Sequence, residues 1–151
     1  MAIEHYVTNQ IQQKIFAAMN QLPVAEFGAK VVVACPPGEE HDIAAFAVAY
    51  RCRVYSLGAN VPLASLTSLC GMVKPDLTTL SVPLALSDAK ATELIQTLVH
   101  DVRPISQLAV GGHDALAIRD LFVHAQIEVL EDFVELDHRV DRVIRQSLSR
   151  R

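Results

Sequence analysis

At 151 residues the chain has the size of one domain, long enough to bury roughly two-thirds of the surface it exposes when unfolded. Apolar residues make up 51% and charged ones 20%, which excludes a disordered tail, a collagen-like fibre and a low-complexity linker. Thirteen Lys and Arg against seventeen Asp and Glu leave a net charge of −4. Direct contact with the nucleic-acid backbone, which needs clustered cations to displace counterions, is therefore not expected. The first residues, Met1 to Tyr6, carry neither the basic stretch nor the apolar run of a signal peptide. No window approaches the roughly 18 uninterrupted apolar residues of a membrane span, so a cytoplasmic location without membrane contact is expected. Cys35, Cys52 and Cys70 are odd in number, widely separated and set among apolar neighbours, and are read as buried small hydrophobes.

In chain order, Ile11, Ile15, Met19 and Leu22 form the stripe of an amphipathic helix over residues 6–22, ended by Pro23. The period then changes. Residues 30–35, Lys-Val-Val-Val-Ala-Cys, are a short β-branched run bounded by Pro36-Pro37-Gly38, which suits a strand buried on both faces. Residues 41–51 return to helical spacing at Ile43, Phe46, Ala47 and Tyr50, and residues 53–57 read as a second strand stopped by Gly58.

Pro62 at a first helical position opens a helix over residues 63–72. Residues 76–82 are a third strand. Ser87 caps a helix running to residue 100, and the apolar run 105–110 after Pro104 is a fourth strand. Residues 114–123 read as a helix and 126–130 as a fifth strand. Residues 132–149 read as a final helix with its apolar stripe at Phe133, Leu136, Val140, Val143, Ile144 and Leu148.

Strict alternation with short links implies a parallel sheet covered by helices on both faces, because right-handed crossovers carry a helix between neighbouring strands. Five strands in this order predict a flavodoxin-like, doubly wound α/β sheet over residues 28–151, preceded by an N-terminal helix within residues 1–24. Ligands of such sheets sit at the carboxyl ends of the strands, where the strand order reverses. The loops after the strands are thus the places to look for function.

The first of these loops reads Cys35-Pro-Pro-Gly-Glu-Glu-His-Asp-Ile-Ala-Ala. A carboxylate two positions from a histidine can hold one ring nitrogen and leave the other for a metal. The same acids can equally complement a helix N-terminus. Gly111-Gly112 closes a strand and enters a helix, so its backbone can approach another group closely, but it lacks the spacing of a dinucleotide fingerprint or a P-loop. Ser81 ends the third strand and can donate into the same crevice.

Taken together, these pieces resemble the cobalamin-binding domain of methionine synthase, of base-off mutases, of corrinoid methyl carriers and of certain light-responsive repressors. That family shows Asp-x-His-x-x-Gly, a later Ser-x-Leu and then Gly-Gly. This chain has Glu39-x-His41-x-x-Ala44, then Ser81-Val82-Pro83, then Gly111-Gly112. Glu39, Ala44 and Pro83 stand where the family has Asp, Gly and Leu. The stretch from Pro37 to Ile43 and the phrase Leu57-Gly-Ala-Asn-Val-Pro-Leu63 are most similar to the repressors.

The resemblance implies cobalamin, as adenosylcobalamin or methylcobalamin, with His41 as the lower axial ligand of cobalt and Glu39 as its outer partner. Ala44 would lie at a point of close approach. Ser81 and Val82 would line a channel for the displaced tail, and Gly111 and Gly112 would leave it room. Family members usually carry a helical bundle before this domain, whereas the residues before 30 supply one predicted helix.

His113 follows the glycine pair at a helix start and is read as a cap or surface group. His5, His100, His124 and His138 are read as surface residues, and Arg139, Arg142, Arg145, Arg150 and Arg151 as partners of the last helix's C-terminal dipole. No Gly-x-Ser-x-Gly elbow, His-Glu-x-x-His or paired catalytic Cys and His is present, so independent enzyme activity is not expected. Three readings stand: a sensor signalling to a protein partner or by self-association, a corrinoid carrier subunit of a methyltransferase or mutase, and a degenerate domain that binds haem or only protein.

Overall fold

The computed structural model describes residues 28–35, 52–57, 60–82 and 86–150, together with Gln10, Gln13, Lys14 and Ala17, all four helical. Five strands, β1 (Lys30–Ala34), β2 (Arg53–Ser56), β3 (Leu77–Ser81), β4 (Gln107–Gly111) and β5 (Glu128–Val129), form one sheet in the order β2-β1-β3-β4-β5. Every pairing is parallel. The order reverses between β1 and β3, as in the flavodoxin-like sheet expected from the alternation of strand and helix.

Side-chain alternation divides the core in two. Val32 and Ala34 of β1, Leu80 of β3, and Leu108 and Val110 of β4 face one side. There they pack against α1 (Leu63–Val73), α2 (Asp88–Thr97) and the buried Phe122 of α4 (Arg119–His124). Val31, Val33, Leu77 and Ala109 face the other side, with Leu136, Val140 and Val143 of α5 (Phe133–Ser149). β1 is buried along Val31–Ala34 because both its faces are covered.

The caps follow ordinary chemistry. Ser87 accepts from Lys90 N at the start of α2, and Asp132 accepts from Glu135 N at 2.9 Å while Glu135 returns a carboxylate oxygen to Glu131 N at 2.7 Å. All three cysteines are buried and none forms a disulfide, as the sequence implies. Burial pushes the Cys70 thiol up, against a smaller lowering by the Thr78 hydroxyl 3.5 Å away. Cys70 therefore stays protonated and acts as core.

Several boundaries differ from the sequence reading. α2 ends at Thr97 and passes into a π-turn over Leu98–Val102, which closes two residues beyond the predicted end at His100 and in which Arg103 N bonds Leu98 O. Ile105 and Ser106 N–H both donate to Val102 O. These two residues thus belong to the turn, and β4 starts at Gln107. The predicted helix 114–123 is two pieces, α3 (His113–Ala117) and α4, separated at Ile118, whose ψ of 26° leaves the helical region. Phe133 and Leu148 are 58% and 64% exposed, because they lie at the ends of a helix longer than the sheet it covers.

Arg139 is not a solvated partner of the helix dipole. Its side chain is 8% exposed. Nε donates to Glu128 Oε2 at 2.6 Å and Nη2 to Gln107 Oε1 at 2.8 Å, which ties α5 to β4 and β5. Arg142 also reaches Glu128, but from a side chain 58% exposed. Arg139→Ala should cost about 2 kcal/mol, the range of charge-assisted hydrogen bonds lost at a buried site. Arg142→Ala should cost under about 1 kcal/mol, as exposed pairs do. Urea unfolding of the two variants checks the contrast.

Candidate functional site

The carboxyl ends of β1, β3 and β4 lie side by side. Ala34 is paired with Leu80, and Ser81 with Gly111. Backbone hydrogen bonds stitch this rim together: Val61 N to Cys35 O at 2.8 Å, Val82 N to Gly111 O at 2.8 Å, and Leu130 N to Val110 O at 2.7 Å. The phrase over residues 57–63 thus has a structural task that its sequence alone does not state. Val61, itself buried, holds the chain at the point where it leaves β1.

Gly112 has φ +99°, a conformation that L side chains rarely adopt. A Cβ there would lie 3.1 Å from Ser81 Oγ, 3.1 Å from Val82 O and 3.2 Å from Val82 N. The glycine is required because the turn out of β4 presses its backbone against the end of β3. Ser81, Val82 and Gly112, drawn from separate parts of the sequence, are thereby in one place. Val82 is buried in the core on the α1 and α2 side.

Gly111 differs from its neighbour. A Cβ on it would meet Leu130 O at 3.5 Å and Leu130 Cβ at 3.8 Å, both ordinary contacts. Gly111 is not among the glycines with positive φ. Among the described residues, therefore, a methyl group is accommodated at Gly111 and not at Gly112.

Glu39, His41 and Ala44 lie outside the described residues, as does Pro83. In the sequence, the first three belong to the connection that follows β1, the strand next to β3 in the sheet. Among the described residues no group of three or more His, Cys, Asp or Glu side chains is arranged to hold a metal ion. His100, His124 and His138 are exposed, and His124 Nδ1 pairs with Asp120 O. No helix among the described residues is long and apolar enough to cross a membrane.

No protein-family model matches the chain. Over 117 residues, 74% of the chain, the sequence is 27% identical to the HTH-type transcriptional repressor CarA of Myxococcus xanthus, of which the match covers 40%. Among solved structures, a cobalamin-binding protein from Desulfitobacterium hafniense superposes with a TM-score of 0.58 at 24% identity, over 75% of this chain and 59% of that one. The methanol:cobalamin methyltransferase complex MtaBC from Methanosarcina barkeri gives a TM-score of 0.50 at 20% identity, over 80% of this chain and 55% of that one. The chain thus spans well under two-thirds of the length of each relative. It has the five-stranded, doubly wound fold of these cobalamin-binding proteins, and its sequence resembles that of a transcriptional repressor.

Proposed function

We propose that the chain is a cobalamin-binding regulatory domain that signals to a partner protein. The observation that carries this reading is the contact of Gly112 with Ser81 and Val82 at the carboxyl end of the sheet. There the second and third parts of the motif meet beside β1, the strand that leads to the first part. In this reading His41 would be the residue that ligates cobalt. Glu39 would hold the other ring nitrogen of the imidazole and fix its tautomer. Ser81 and Gly111 would border the space for the displaced tail, and Ala44 would lie at a point of close approach. When bound, the cofactor would supply ligand exchange at cobalt. The chain's own contribution is to hold, orient and report it.

Regulation is favoured over a carrier role by the 27% identity to a transcriptional repressor across most of the chain. The carrier reading is favoured by the fold shared with a methyltransferase complex. A carrier transfers a methyl group when its partner enzyme is added. A regulator changes mass or shape on loading with no substrate present. Neither role gives the isolated chain an enzyme activity.

The fit of the described half can be tested at Gly111. Gly111→Ala should leave stability unchanged or raise it by up to about 1 kcal/mol, since the backbone conformation accepts Ala. Its affinity for hydroxocobalamin should nevertheless fall about tenfold, the factor that corresponds to 1.4 kcal/mol of lost contact. The reading itself is tested by incubating the apoprotein separately with hydroxocobalamin and with haem, desalting, and recording visible spectra. Retention of cobalamin alone supports it, whereas retention of haem alone or of neither contradicts it.

A further inference from the structure

β3 contains two threonines in succession, and the alternation of a strand sends them to opposite faces of the sheet. Thr78 faces the α1 and α2 side, where Cys70 lies in the core. Its hydroxyl is paired with Ser106 Oγ at 2.9 Å and with Cys70 Sγ at 3.5 Å, and Ser106 Oγ donates onward to Gln107 O at 2.9 Å. A buried hydroxyl needs such partners, because one left without them keeps the cost of its lost water.

Thr79 is placed differently. It shares the other face with Leu77 and lies in register with Val33 of β1 and Ala109 of β4, all of them in the core beneath α5. It is 5% exposed, yet among the described residues nothing donates to its hydroxyl or accepts from it. Buried polar groups without a partner are rare in native chains, and each calls for an explanation.

The position supplies one. The next residue up the same face of β3 is Ser81, in register with Gly111 at the carboxyl rim, just as Thr79 is with Ala109. Above Leu77, this face of β3 and β4 is thus built of short side chains. A Cβ on Gly111 would meet only Leu130 atoms within 4 Å. Thr79 lies about 7 Å further in than Ser81, two residues along the strand, with its hydroxyl at the inner end of that column.

We infer that Thr79 is a specificity-determining residue whose hydroxyl hydrogen-bonds the nucleotide tail of cobalamin, deeper in the sheet than Ser81. The inference rests on the cobalamin reading, in which Ser81 and Gly111 border the space for the tail. It adds a polar group that selects corrinoids with the tail over those without it. The nitrogen and oxygen atoms of a nucleotide need partners once they leave water, as the Thr79 hydroxyl does. A site built to hydrogen-bond its ligand discriminates against an analogue that lacks the group, since its own polar atom is then left unpaired.

Thermal unfolding of the apoprotein, and visible titrations with hydroxocobalamin and with aquocobinamide, a corrinoid without the nucleotide tail, test it. Thr79→Val keeps the shape of the side chain and removes the hydroxyl. Its apoprotein should unfold at the parent temperature or above, because no partner within the chain is lost. Its affinity for hydroxocobalamin should fall about tenfold, and Thr79→Ser, which retains a hydroxyl, should stay within about threefold of the parent. Toward aquocobinamide all three proteins should behave alike. A Thr79→Val apoprotein that unfolds at a lower temperature, one that binds hydroxocobalamin like the parent, or one that loses aquocobinamide in the same proportion overturns the role of Thr79 and leaves the cobalamin reading standing. Failure of the parent itself to bind hydroxocobalamin overturns both.

Discussion

Replacing His41 by Ala should abolish tight retention of cobalamin. Loss of an outer partner of a metal ligand costs roughly 10–100-fold in affinity. The ligand itself should cost more, whereas Glu39→Ala should fall within that range. Both follow from the proposed chain of contacts, in which the carboxylate orients an imidazole and the imidazole meets cobalt. The same chain sets the pH dependence. With His41 in the proposed role, proton and cobalt would compete for one ring nitrogen, so affinity should fall as the solution is acidified, and His41→Ala should lose that dependence. Titration of hydroxocobalamin into parent and variants at neutral and mildly acidic pH, followed in the visible spectrum, measures both effects.

Gly112→Ala should be the most destabilising single-methyl change at the rim. The methyl group would occupy a backbone conformation closed to L residues and would sit 3.1–3.2 Å from both the N and O of Val82. Backbone atoms at the end of a paired strand cannot move aside as a flexible side chain can. Strain in the backbone and overpacking each cost about 1–3 kcal/mol. A total of roughly 3 kcal/mol corresponds to a loss of about 10 °C in the midpoint of thermal unfolding for a domain of this size. The adjacent Gly111→Ala should show the opposite pattern, with stability kept and ligand affinity reduced. If both variants unfold at the parent temperature, the close approach of β4 to the end of β3 is wrong.

The sheet was legible because each strand announces itself locally. Residues 31–34 are four consecutive small or β-branched side chains, and a strand covered on both faces needs no more than that. What sequence period could not convey was set by partners far along the chain. Arg139 occupies a helical position that reads as surface, yet it is buried because Glu128 and Gln107, from two different strands, supply its acceptors. β4 starts at Gln107 because the turn after Leu98–Val102 ties the N–H groups of Ile105 and Ser106 to Val102 O, which takes both residues out of the strand. Phe133 and Leu148 fit the apolar stripe of α5 but lie beyond the sheet beneath it.

The candidate site divides in the same way. Gly111-Gly112 could be read as a flexible pair, but that Gly112 is demanded by Ser81 and Val82, and Gly111 by nothing among the described residues, appears only once β3 and β4 are side by side. The spacing of Glu39 and His41 is a local feature that any reader of the sequence meets. Its connection with Ser81 depends on the strand order, because β1 and β3 are neighbours in the sheet although β2 lies between them in the chain.

The account rests on the proposed role of His41 as the protein's ligand to cobalt. The most direct measurement is electron paramagnetic resonance of the cob(II)alamin complex, made with protein in which histidine alone carries ¹⁵N. An axial ¹⁵N has spin one-half and splits each cobalt line into two, whereas the unlabelled nitrogen of the cofactor tail has spin one and splits it into three. The account predicts doublets that disappear in His41→Ala. Triplets from the labelled parent protein, or doublets that survive in His41→Ala, would contradict it.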